Sequence, residues 1–160
     1  MINKFYVLPF ILSFLLVACD STHTRSPTEQ ALQIRLSINN NNIEEFRALS
    51  SLPLIIREQE WQSAKDGTGF ILGVAKQSLL SSDDAFNKII STFLKSLQIE
   101  DERAVTDITS NMFTSELGEK VNDWDDFKLI LFKRGEGDVE HIVLMGLNKK
   151  TNKLQAIYIN

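Results

Sequence analysis

From residue 5 the chain opens with an almost unbroken apolar run, FYVLPFILSFLLV, interrupted only by Pro9 and Ser13 and closed by Asp20. A spanning helix needs about 20 apolar residues, so this run has the length of an export-signal core rather than of a permanent span. Polar sequence without periodicity follows, Asp20 to Thr28, and predicts a tether. Beyond it, Glu29 to Ile38 places Ala31, Leu32, Ile34, Leu36 and Ile38 so that a short strand and a helix fit equally. Asn39 to Asn42 predicts a turn and a cap for a helix over Ile43 to Ser50, with Ile43, Phe46 and Leu49 at three-residue spacing. Pro53 opens an expected strand, Leu54 to Trp61. Asp66-Gly67-Thr68-Gly69 supplies hairpin chemistry before a second, Phe70 to Ala75.

The sharpest pattern lies over Asp83 to Gln98. Ser82 is a cap, Asp83 and Asp84 suit the helix dipole, and Phe86, Ile89, Ile90, Phe93, Leu94 and Leu97 form one stripe. Residues 100–124 mix acidic and β-branched positions, with a second helix suggested near Phe113 to Val121. Three strand-like runs close the chain: Phe127 to Arg134, Val139 to Leu147 and Leu154 to Ile159. They predict an antiparallel meander, and its middle run, apolar on both pleat faces, is the expected central strand. The expected class is α+β, a small single domain over residues 29–160, with the meander packed by the amphipathic helix.

Composition adds bounds. At 160 residues, 43% hydrophobic and 24% charged, the chain has ordinary globular proportions. The formal net charge of −4 includes Lys4 of the expected signal. An acidic balance argues against nucleic acid, whose phosphates demand a basic face. One cysteine excludes an intramolecular disulfide.

That cysteine ends Leu16-Val17-Ala18-Cys19, which resembles the lipobox of bacterial lipoproteins. The resemblance implies cleavage after residue 18, a diacylglyceryl group on Cys19 and an acylated, palmitate-type terminus held in membrane lipid. Residues 1–18 are then the signal peptide and 19–28 the lipidated terminus and tether. Two or more buried acyl chains make such an anchor stable where one would be reversible. Asp20 resembles the sorting residue that retains some lipoproteins at the periplasmic face of the inner membrane, with the outer membrane as the alternative. The closing segment HIVLMGLNKKTNKLQAIYIN is similar, over 20 residues, to the terminal hairpin of the nuclease A inhibitor family. This implies binding to an exported enzyme, although no inhibitory residue can be matched.

Candidate chemistry is sparse. His141, flanked on its pleat face by Val139, Val143 and Met145, reads as a satisfied core or edge histidine rather than a general base. His23 reads as a solvated tether residue. Neither a nucleophile elbow nor a paired-ligand zinc motif occurs. The acidic groups Glu100-Asp101-Glu102 and Asp123, Asp125 and Asp126 lack calcium-loop spacing and read as solvated surface. No catalytic residue, metal ligand or cofactor is expected. Trp61 and Trp124 are the candidate interface residues, because tryptophan is enriched at binding hot spots. The chain is therefore expected to be a non-enzymatic protein-binding module of the cell envelope: an inhibitor, an immunity protein or an accessory subunit. A small envelope hydrolase with carboxylates brought together only in space is the alternative.

Overall fold

A computed structural model of the chain describes residues 25–100, 105–108, 124–133 and 141–160. The signal, Cys19, Asp20, His23 and the helix suggested near 113–121 lie outside the described residues.

The first element settles the ambiguity left by the sequence. Helix α1 (Pro27–Asn39) starts in a capping box. The Ser26 hydroxyl accepts from Glu29 N–H at 3.2 Å, and the Glu29 carboxylate accepts from Ser26 N–H at 2.8 Å, with Pro27 in the first turn. Residues 26–28, expected in the tether, thus belong to the folded part. Ala31, Ile34 and Ile38 are buried at helical spacing, while Leu36, which suggested alternation, points outward. Asn41 takes the left-handed conformation at φ 51°, and Asn42 caps α2 (Ile43–Leu49) through Glu45 N–H at 3.1 Å.

Strand β1 (Ser50–Glu58) starts three residues before Pro53 and ends three before Trp61. The expected partner strand is split. β2 (Trp61–Ser63) and β3 (Phe70–Leu72) form a two-stranded ribbon, and β4 (Lys76–Leu80) then pairs antiparallel with β1. The ribbon's turn is built as the DGTG chemistry predicts: Asp66 Oδ1 accepts from Thr68 N–H and its hydroxyl, and Gly67 sits at φ 73°. Helix α3 (Asp83–Ser96) follows, with the Ser82 hydroxyl accepting from Ala85 N–H.

After β5 (Val105–Ile108), the meander is present as β6 (Phe127–Lys133), β7 (Ile142–Asn148) and β8 (Leu154–Ile159), each antiparallel to the next. The sheet order is β4-β1-β8-β7-β6-β5. The sequence did not reveal that β1 joins β8 in parallel, which makes the sheet mixed and the class α+β. One face carries the main core, where Leu54, Ile130, Val143, Met145 and Ile157 meet the three helices. α1 lies against β6 and β7, whereas α3, expected over the meander, lies against β4 and the other two helices. Asn39 fastens this layer: its side-chain amide accepts from Ile99 N–H at 3.0 Å and donates to Ile99 C=O at 2.8 Å. The second face buries Leu144, Ala156, Tyr158 and Trp124. There Gly146 allows Phe127 to approach, since a Cβ would stand 3.0 Å from both Phe127 Cδ2 and Ala156 Cβ.

Candidate functional site

The long bent hairpin from Ser50 to Leu80 places β3 and β4 on the outside of the molecule. Among the described residues β4 pairs with β1 alone and β3 with β2 alone, so one stretch, residues 70–80, forms an outer strip. Apolar side chains gather on it: Phe70 is 58% exposed, Ile71 50%, Val74 86% and Leu79 57%. Beside them, Ile89 on α3 is 39% exposed. Among the described residues only one further large apolar side chain is exposed, Leu36 at 41%. Single exposed apolar residues need no explanation, but a grouped set does.

Next to the strip, α3 stands off the sheet and leaves a groove of about 370 Å³. Ile56 and Phe93 give it an apolar floor, Ser78 a small wall, and Lys88, Ile89 and Thr92 its rim. Glu58 and Ser96 line both this groove and a second cleft, of about 490 Å³, at the base of the ribbon. That cleft adds Glu60, Trp61, His141 and Asn160.

A buried polar chain joins ribbon to sheet. Tyr158 Oη donates to Gln59 Oε1 at 2.9 Å, and Gln59 Nε2 donates to Gly73 C=O at 2.6 Å. Burial pushes the Tyr158 phenol up to about 12 against a pull from Arg57 in the other direction. Gln59 N–H also bonds Ile159 C=O at 2.8 Å. The ribbon is therefore held at its root, while its tip is solvated. At the neighbouring strand ends, Asn160 Oδ1 accepts from Ile142 N–H at 2.7 Å, and His141 Nδ1 lies 3.1 Å from Asn160 main-chain oxygen. That oxygen only accepts, so Nδ1 is the donor. His141 is half-buried and immediately precedes β7.

The two tryptophans separate. Trp61 is half-buried on the rim of the second cleft. Trp124 is only 2% exposed and meets Phe127 edge to face, with ring centroids 6.1 Å apart. It is a core residue of the second face, which corrects its expected place at an interface. Of the acidic groups, Glu100, Asp125 and Asp126 are exposed, and Asp101, Glu102 and Asp123 lie outside the described residues. Among the described residues, no group of three histidine, cysteine or acidic side chains is placed to hold a metal, and no helix is long and apolar enough to cross a membrane.

The outer strip is what the sequence reading missed. Its signal was available in Phe70-Ile71-Leu72, three consecutive apolar residues after a polar turn. Such a run cannot bury both pleat faces on a two-stranded ribbon. The chain matches no protein-family model and no curated protein sequence.

Proposed function

We propose that this chain is a lipid-anchored protein of the bacterial cell envelope that works by binding another protein. Its anchor is Cys19, and Asp20 favours the periplasmic face of the inner membrane, with the outer membrane as the alternative. The observation that carries the binding role is the apolar outer strip and its position. Arg25 C=O accepts from Asn152 Nδ2 at 2.8 Å, so the described chain enters beside the β7–β8 turn. The ribbon leaves from the opposite end of the sheet, where Glu58 pairs with Ile159 at the far end of β8. Only six peptide steps separate Cys19 from Arg25, a reach of about 20 Å. The anchored end is thereby kept near the bilayer, and the ribbon is directed away from it, while β4 runs back along β1 until Leu79 is level with Ala156.

An inhibitor or immunity role is one form of this reading, and loss of the protein should then matter only when its cognate toxin or nuclease is present. The hairpin that resembles the nuclease A inhibitor family is β7–β8, the centre of the sheet, with Val143 to Leu147 buried. Contact with a partner therefore falls to the strip and not to that hairpin.

The test is purification of the protein from membranes beside a Cys19→Ala form, with mass spectrometry of the mature terminus and of the proteins that accompany each. A diacylglyceryl-modified Cys19 with one stoichiometric partner supports the proposal, and an unmodified terminus sinks the anchor. One observation favours the hydrolase alternative: the second cleft gathers Glu58, Glu60 and His141. Any hydrolytic activity that survives Glu58→Gln, Glu60→Gln and His141→Ala together would remove that alternative.

A further inference from the structure

We infer that the β7–β8 turn is a seat for anionic phospholipid headgroups of the bilayer that holds the anchor, so that the domain stands on the membrane turn first. This rests on the anchor proposed above and specifies how the domain is oriented upon it. The turn, Lys149-Lys150-Thr151-Asn152-Lys153, carries three cations in five residues. Arg25 joins them, because Asn152 Nδ2 donates to its main-chain oxygen, and Lys128 lies one pair further in, opposite Leu147. All five are exposed. None of them forms an ion pair among the described residues, and the Lys149 ammonium donates to a main-chain oxygen, Asp125 C=O.

The asparagines shape the turn and leave the lysines to solvent. Asn148 Oδ1 accepts from the N–H groups of Lys150 at 2.9 Å and Thr151 at 3.0 Å, and Asn148 Nδ2 donates to Gln155 Oε1 at 2.8 Å. Asn152 takes the left-handed conformation at φ 57°, and its N–H donates to Asn148 C=O at 2.8 Å. The backbone that presents the cations is already ordered, so contact with a surface costs only side-chain freedom. Carboxylates stand close by as well: Asp125 and Asp126, whose main-chain oxygens meet Lys149, and Glu29 in the first turn of α1. Five cations against these three carboxylates leave this end at +2, on a mature chain whose total, once Lys4 is removed, is −5. An anionic surface therefore draws this end and repels the remainder.

Position selects the bilayer as the source of that surface. Near anionic headgroups one cation shifts a binding equilibrium about fivefold, and the attraction reaches roughly 8 Å in physiological salt. Free in solution, so small a surplus binds weakly. Held through a segment that extends at most about 20 Å, the turn meets the headgroups at high effective concentration, and the surplus has only to choose which end faces them. An acyl chain together with a basic patch is a recurrent pair of membrane signals. An acidic protein would meet the same cations, but the chain enters the fold beside this turn, where the anchoring bilayer is nearest.

The experiment places a fluorophore on the turn of the lipidated protein through Thr151→Cys and, separately, on the ribbon through Ser63→Cys. Acylation consumes Cys19, so the introduced thiol is the single reactive one. The protein is reconstituted into vesicles of phosphatidylcholine, with and without phosphatidylglycerol, that carry a headgroup-attached quencher. The ratio of headgroup-bound to free turn, read at position 151, should be about fivefold or more higher in the anionic vesicles. It should fall as sodium chloride is raised, and position 63 should be quenched in neither. Lys150→Gln with Lys153→Gln removes the surplus charge and should erase the lipid preference, and the corresponding glutamate pair should reverse it. Both positions are exposed, so neither pair disturbs the core. Equal quenching in the two vesicle types, equal quenching at 151 and 63, or an unchanged preference in the glutamate pair would overturn the inference. So would loss of quenching on adding inorganic phosphate at fixed ionic strength, which indicates a site for the free ion. A mature chain held instead by an N-terminal hexahistidine on a chelating lipid separates this inference from the anchor. Contact there, beside an unacylated native terminus, would refute the anchor and leave the seat standing; an acylated terminus without contact would refute the seat alone.

Discussion

Strands β7 and β4 belong to one sheet, yet their apolar residues are used in opposite ways. β7 has a neighbour on each side and cover on both faces, and Val143 to Leu147 are all buried. Among the described residues β4 has one strand neighbour and a groove on one face, and Leu79 on the other face is 57% exposed. Apolar surface that is buried stabilises the fold by roughly 25 cal/mol per Å². The same surface left in water contributes nothing to the folded state by itself. Its presence on one outer stretch, at Phe70, Ile71 and Val74 and again at Leu79, is what points to a partner.

Mutations should divide along the same line. The largest effect is expected at Phe132, fully buried on β6: Phe132→Ala should lower the free energy of urea unfolding by about 3–5 kcal/mol. Next come two changes of about 1–3 kcal/mol. Gly146→Val drives a branched side chain into Phe127 and Ala156, and Asn39→Ala leaves both backbone groups of buried Ile99 without that amide. Tyr158 gives a smaller, pH-dependent effect. Its folded pKa of about 12 lies above the ordinary value of 10.0. Its contribution is complete below pH 10 and is lost as the pH rises to 12, because the unfolded chain ionises first. Urea titrations at pH 9 and 11 should show this decline, and Tyr158→Phe should remove it. The smallest effect on stability should come from the strip. Phe70→Ser and Ile71→Ser should each change unfolding by less than about 0.5 kcal/mol while weakening partner binding.

Much of the fold was legible because local signals and burial agreed. Ser82 and the Phe86–Ile90–Phe93 stripe specify α3, and alternation with polar turns specifies the meander. The capping box at Ser26 and Glu29 was equally readable and was obscured by the proline and polar residues around it. The parallel β1–β8 contact was not legible, since it joins segments about a hundred residues apart and no local pattern encodes which strands become neighbours. Trp124 and Trp61 differ for a similar reason. Residue type suggested an interface for both, but the tertiary neighbours Phe127 and Leu129 bury one of them. The strip escaped because an exposed apolar run has the same sequence signature as a buried one.

The central claim is that the outer edge, not the rest of the surface, meets the partner. Leu36 offers a matched control, an exposed apolar residue on α1 away from the edge. A photocrosslinking amino acid placed at position 79 and, separately, at position 36 of the lipidated protein in intact envelopes compares the two directly. The account predicts one discrete protein adduct from position 79 and none from position 36. Equal adducts from both positions, or adducts from position 79 with lipid only, would contradict it.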